Sequence, residues 1–308
     1  MKRAWGAWAE LWDRREDAAA LALVRIFIGA VVAYDLLEMW RVGAIEPLLA
    51  RPGEGYASAS DGWAVHLFGA GAAGARALWL TGLLAALAVA GGVATRAACI
   101  VSIAVSLQIA QVAPDGDRGI DQLMRVVLAI LALSRCHARW SADAWLWRRA
   151  GRPIPTDVPA WPRYLLLLQL LWVYASGGMN KGGAEWGPTG GFTALANALT
   201  DPHIARFDPA WVEVVHPLTR VATAATMLFE LSAPLYLALY HFAATRDRPG
   251  RLRAACNRLH LRWVWLALGA AFHLGIACTL RLGIFPFGML ALYPILMLPG
   301  ELRRSSGR

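Results

Sequence analysis

The chain has 308 residues, 57% of them hydrophobic and 17% charged, with a mean hydropathy of +0.44. That composition excludes a water-soluble globular protein and points to a polytopic membrane protein, all-α because a backbone in lipid has to satisfy its own hydrogen bonds. The net charge of +9 does not indicate nucleic acid, because the arginines fall between apolar runs; the four cysteines (Cys99, Cys136, Cys256, Cys278) form no CxxC pair, which argues against a thiol relay or a metal site.

The opening MKRAWGAWAELWDRREDAAA is charged and tryptophan-rich and has no short apolar core followed by a cleavage site. It predicts an amphipathic helix over 1–17 lying at the membrane surface rather than a removable signal. Eight spans are predicted next, near 19–40, 75–94, 97–113, 120–135, 161–180, 215–241, 262–280 and 284–299, followed by a basic tail at 300–308. The whole reads as a single transmembrane domain. Tryptophans such as Trp12, Trp40, Trp161 and Trp263 suit interfacial belts.

The first span carries Arg25, Asp35 and Glu38. At 3.6 residues per turn Arg25 and Asp35 point in different directions, so Arg25 needs another partner. The fourth span starts with Asp121 and Arg125, whose i,i+4 spacing suits a pair on one helix face. The fifth ends in YASGGMNKGGAEW, with Tyr174 inside it and Lys181 just beyond. Lysine is scarce here: of thirty basic residues only Lys2 and Lys181 are lysines. Arginine stays charged at any pH a protein meets, whereas a desolvated lysine can lose its proton and act as a base. A snorkelling lysine at a membrane boundary is the competing reading. Glu230, in LFELSAP, precedes Pro234 and is placed to hydrogen-bond backbone freed by a proline kink. His273, in AAFHLGIA, is a lone imidazole on an apolar helix, the usual setting of an interhelical hydrogen-bonder. The segments 41–74 and 181–214 are rich in Gly, Pro and Trp; within the second, GPTGGFTALANALTDP predicts a short helix on or in the outer leaflet.

With the N-terminus inside, twenty basic residues fall in inner segments and eight in outer ones. The positive-inside rule then places both termini in the cytoplasm of a bacterial inner membrane. It also brings Asp35, Glu38, Asp121, Arg125, Tyr174, Lys181 and His273 to one outer depth, as if lining one outward-facing cavity.

At these residues the chain resembles the membrane domain of the vitamin K-dependent gamma-carboxylases, also called the HTTM (horizontally transferred transmembrane) domain. The likeness rests on Tyr174, Gly178, Lys181 and Trp186 in YASGGMNKGGAEWGPTGG; on Arg25, Gly29 and Asp35 in LVRIFIGAVVAYDLLEMW; on FELSAP; and on His273, Phe285, Pro286 and Pro294 in FHLGIACTLRLGIFPFGMLALYPILMLP. In order, these cover roughly residues 18–299. The resemblance implies a lysine base, here Lys181, that deprotonates a reduced quinone (vitamin K hydroquinone or menaquinol). Oxygen then yields an epoxide, and a strongly basic species allows carbon dioxide to add to a substrate glutamate. It implies His273 as a second catalytic residue, with Tyr174, Trp186, Asp121 and Asp35 around the cofactor and no metal. The family's Asn-Asn-His stretch reads DRGIDQL here, and Asn180 stands where the carboxylases have a second lysine. The residues leave two main functions open. One is a quinol- and oxygen-dependent carboxylase-like enzyme acting on a secreted peptide or protein; the other is a non-enzymatic membrane accessory for maturation or export of such a peptide. A transporter reading lacks an internal repeat.

Overall fold

The computed structural model describes residues 14–50, 62–152 and 155–304, together with Gly6, Glu10 and Trp12. In chain order its elements are β1 (Arg15–Asp17), α1 (Ala19–Arg41), α2 (Ile45–Leu49), α3 (Trp63–Phe68), α4 (Ala72–Gly91), α5 (Thr95–Val112), α6 (Gly119–Leu133), α7 (Ala142–Arg149), β2 (Asp157–Pro159), α8 (Trp161–Met179), α9 (Ala194–Thr200), α10 (Ala210–Leu231), α11 (Leu235–Ala244), α12 (Arg251–Arg258), α13 (Leu261–Thr279), α14 (Phe285–Leu290) and α15 (Pro299–Arg304). The fold is nearly all-α. Its departure is the short antiparallel pair β1–β2, which takes residues 15–17 out of the expected surface helix. Most of that helix lies outside the described residues, as do residues 305–308 of the basic tail.

Among the described residues, four helices are long and apolar enough to cross a membrane: α1, α4, α5 and α13. The pair α10–α11 qualifies together as a fifth, bent by 68°. The eight expected spans are therefore not all met by single helices. The helix α6 has 15 residues, about 22 Å at 1.5 Å per residue, short of a hydrocarbon core of about 30 Å. The 19-residue α8 begins Trp-Pro-Arg-Tyr and ends Ser-Gly-Gly-Met, which dilutes its apolar centre. The expected last span is interrupted, because α14 stops at Leu290 and a 3₁₀ turn, Tyr293–Leu296, follows around Pro294.

The chain divides into two compact units, residues 1–166 with 291–308, and residues 167–290, so that α8 begins in the first and continues in the second. In the first unit α1 packs on α4 through small residues. A Cβ at Gly29 would come within 2.8 Å of the Ala86 carbonyl oxygen and the Ala90 Cα, so the two backbones meet there only because Gly29 has no side chain. The Trp79 indole donates to the Leu36 carbonyl at 2.8 Å and fixes the same pair. Strand β1 presents Glu16 to Arg163, whose guanidinium grips both carboxylate oxygens at 2.5 and 2.7 Å and donates to the Ile295 carbonyl at 3.1 Å. The Arg163 side chain is only 1% exposed.

In the second unit, α10 ends at Leu231 and Pro234 caps α11. Phe229, at the end of α10, and Tyr236, in the first turn of α11, both pack on Trp265 of α13, with ring centroids 4.6 and 4.7 Å away. The bend is thereby filled with aromatic surface.

Candidate functional site

Lys181 stands two residues past the end of α8, where the last carbonyls carry partial negative charge that favours a cation. Its Nζ donates to Glu230 Oε2 at 2.5 Å and lies 3.4 Å from the Gly177 carbonyl. Two glycines make room for this contact. A Cβ at Gly178 would stand 3.0 Å from Leu231 Cδ2 and 3.1 Å from the Glu230 Cβ; one at Gly177 would stand 3.7 Å from Nζ. The Gly-Gly step thus lets α8 approach the end of α10 closely enough for a lysine to reach its carboxylate. The Lys181 side chain is 22% exposed and that of Glu230 only 7%. The pair is reachable from one side, the lysine side. On that side Nζ sits 5.1 Å from the centroid of the Trp186 ring, a cation–π contact. Glu230 does not serve the proline kink as expected from its place before Pro234; its carboxylate is turned to Lys181.

Three residues before Gly177, Tyr174 donates to or accepts from His273 Nε2 at 2.7 Å. Both are enclosed, at 2% and 0% exposure. Phe229 and Trp265 stand edge-on to the Tyr174 ring at 4.8 and 5.9 Å, while Phe272 and Phe285 flank the imidazole at 4.9 and 5.7 Å. This is an interhelical tie in a dry aromatic shell, as an unaccompanied histidine on an apolar helix suggests. Phe229 and Glu230 are neighbours on α10, so one turn of that helix serves both clusters: Phe229 covers Tyr174 and Glu230 holds Lys181.

Asp35 and Asp121 belong to the first unit and form a cluster of their own. Arg118 Nη2 donates to Asp35 at 2.7 Å and to Asp121 at 2.8 Å, and the Arg118 backbone N–H donates to Asp121 at 2.9 Å, capping α6. The expected Asp121–Arg125 pair does not form. Arg125 takes both oxygens of Asp117 at 2.7 and 2.8 Å, and that guanidinium holds the Asp117 carboxyl below its ordinary pKa. Glu38 pairs along its own helix with Arg41. Arg25 finds the Trp140 carbonyl at 2.5 Å. Of the six residues predicted for the site, the structure joins Tyr174 to His273, Lys181 to Trp186, and Asp35 to Asp121 through Arg118. Glu230 and the aromatic shell were missed. The available signal for Glu230 was complementarity, a carboxylate within an apolar helix and one non-terminal lysine. Among the described residues, no group of three His, Cys, Asp or Glu is arranged to hold a metal ion.

The chain matches the HTTM domain over residues 13–248, more than three quarters of its length. It belongs to the HTTM domain family. The matched region takes in Tyr174, Lys181, Trp186 and Glu230, and stops before His273. No curated protein and no solved structure matches the chain. Family membership and the long apolar helices make it an integral membrane protein of the class found in vitamin K-dependent carboxylase-like proteins.

Proposed function

We propose that this HTTM protein is a membrane-embedded, quinol-dependent carboxylase-like enzyme whose base is Lys181. The observation that carries the reading is the partly exposed Lys181–Glu230 contact beside Trp186. Passing the ammonium proton across 2.5 Å to Glu230 leaves a free amine at Nζ without creating net charge. In a low-dielectric setting this costs far less than expelling the proton past an isolated ion. Glu230 therefore acts as proton acceptor and Lys181 as the base it uncovers.

The residues fit a reduced quinone on the Lys181 side, where an accessible amine and the flat face of Trp186 lie together. A bound quinol supplies an acidic phenol and the reducing equivalents for oxygen. The Tyr174–His273 side does not offer the same fit, because both groups are already engaged with one another and enclosed. In this reading His273 positions α13 against α8 and so sets the floor beneath Glu230. Both termini face the cytoplasm of a bacterial inner membrane and Lys181 the outer side, consistent with the asymmetry of basic residues.

The test is turnover by the purified full-length protein supplied with reduced menaquinone and oxygen. Epoxide is expected from the parent protein and none from Lys181→Ala. Equal epoxide from both removes Lys181 as the base. The closed Tyr174–His273 tie favours a second reading, an accessory that helps mature a secreted peptide without chemistry of its own. Unimpaired peptide maturation in a strain lacking the gene counts against it.

A further inference from the structure

A second cluster, wholly within the first unit, is independent of Lys181. Three arginines line a cavity of about 680 Å³: Arg96 in the first turn of α5, Arg135 after α6, and Arg152 after α7. None of the three has an acidic partner among the described residues. The carboxylate that shares the cavity, Asp143, is committed elsewhere. Its oxygens accept the Ala94 and Thr95 backbone N–H groups at 2.8 and 2.9 Å and the Thr95 hydroxyl at 2.8 Å, capping the start of α5. His137 also lines the cavity, and its buried Nδ1 has no hydrogen-bond partner among the described residues. Burial first, opposed by the Asp143 carboxylate and reinforced by the positive charges of Arg96, Arg25 and Arg135, holds the imidazole below its ordinary pKa. Fully buried nearby, Arg25 keeps Nε and Nη1 without partners among the described residues and adds to a positive field that the single Asp143 carboxylate offsets only in part. The lining therefore suits an anion with several acceptor oxygens, the description of a phosphate group.

The source of that phosphate is indicated by α7. It exposes Trp145, Leu146 and Trp147 in succession and then Arg148 and Arg149, with Trp147 at the cavity itself. Exposed indoles on either side of a leucine, followed by arginines, suit a helix lying at headgroup depth. All three cavity arginines fall in segments that the charge asymmetry assigns to the inner face, where anionic lipids are met by basic pockets between helices.

We infer that the cavity bounded by Arg96, Arg135 and Arg152 is a binding site for the phosphate headgroup of an anionic phospholipid, with Trp147 against the glycerol and upper acyl region. Each basic residue held against the bound headgroup contributes about fivefold in affinity, so removing the three that line the cavity weakens binding on the order of 100-fold, whereas arginines outside it leave the retained lipid untouched.

The experiment places the full-length protein in phosphatidylcholine nanodiscs, titrates phosphatidylglycerol into them, and counts retained lipid by native mass spectrometry. Inorganic phosphate is run as a separate arm. The Arg96→Gln/Arg135→Gln/Arg152→Gln variant is compared with Arg246→Gln/Arg248→Gln/Arg251→Gln, which removes equal charge from a segment assigned to the same face. Expected are a tightly retained phosphatidylglycerol in the parent protein, its loss in the cavity variant, and a change of under threefold in the control. The single variant Arg152→Gln, expected to weaken binding about fivefold, carries the test should the triple variant fold poorly. Equal losses in cavity and control variants, no retained phosphatidylglycerol in the parent, or retention of inorganic phosphate in place of the lipid overturns the assignment.

Discussion

Lys181 and Glu230 bury unequally, and the inequality predicts which half of the pair the protein can least do without. Lys181→Ala leaves the Glu230 carboxylate, 7% exposed, with no cation. Breaking a fully buried pair costs about 3–5 kcal/mol; because Lys181 retains 22% exposure, roughly 2–4 kcal/mol is expected here. Glu230→Gln removes the charge but keeps the volume and an acceptor oxygen, and the ammonium can turn toward water, so about 1–2 kcal/mol is expected. Lys181→Arg preserves the ion pair and stays within about 1 kcal/mol of the parent, yet cannot release a proton and is expected to be inactive. Reversible unfolding in bicelles, followed for the three variants under identical lipid, reads the stabilities; epoxide formation from reduced menaquinone reads the chemistry. If Lys181→Ala proves no more destabilising than Glu230→Gln, the carboxylate is not held in the dry, lysine-dependent state argued above. Turnover by Lys181→Arg would falsify the requirement for a removable proton.

Other outcomes follow from the same contacts. Gly178→Ala puts a methyl 3.0 Å from Leu231 and 3.1 Å from Glu230, so α8 must shift; a loss of about 1–3 kcal/mol is expected in thermal unfolding, along with reduced turnover from the displaced Lys181. Arg163→Met strands the buried Glu16 carboxylate and should cost about 3–5 kcal/mol, whereas pairing it with Glu16→Gln should recover part of the loss; strict additivity of the two variants contradicts the pair. Tyr174→Phe removes the partner of His273 Nε2 in a closed shell and is expected to cost about 1–3 kcal/mol, measured by denaturation with the fold otherwise intact. Burial opposes the Asp143 carboxylate, but the Thr95 and Ala94 hydrogen bonds overcome it and leave its pKa below the ordinary 3.8. A depressed folded pKa means stability that is present above pH 3.8 and is lost as pH falls through the lower folded value; Asp143→Asn should lose about 1 kcal/mol at neutral pH and flatten that acid limb in a pH series of melting temperatures.

The helices that sequence made plain are those whose signal is one-dimensional. Predominantly apolar runs at 19–41, 72–91, 95–112 and 261–279 specify spans because their mean hydropathy is high enough despite a few charged residues. Where the signal depends on the path of a loop, it failed. Asp121 and Arg125 have ideal spacing, yet the turn through Asp117 and Arg118 folds back over the start of α6 and offers each a closer partner, so the loop wins over the helix face. The pairing of Lys181 with Glu230 spans 49 residues and lies beyond any local periodicity. The Ser-Gly-Gly step entered the sequence reading only through the family resemblance; its part in the close approach of α8 to the end of α10 is a finding of the structure. The depth argument grouped Asp35 and Asp121 with Lys181 because charge asymmetry reports height in the membrane and nothing about azimuth. Residues at one height can belong to different clusters, as Arg118 shows by taking both aspartates for itself.

Ion pairing by itself does not account for lysine at position 181. Among the described residues every other ion pair uses arginine: Arg41, Arg76, Arg118, Arg125, Arg139 and Arg163. An arginine opposite Glu230 would offer two parallel hydrogen bonds and a charge that never leaves, which is the better choice for stability alone. Snorkelling does not account for it either, because a snorkelling amine points to water, whereas Nζ is turned to a carboxylate 2.5 Å away that is itself almost wholly buried. Under the proposed function, what lysine offers here and arginine does not is a single nitrogen able to hand its proton to its partner and take it back. The cost is a weaker tie between α8 and α10, and the Gly177–Gly178 step, which lets the two helices approach, is the structural feature that holds Nζ and the Glu230 carboxylate in contact.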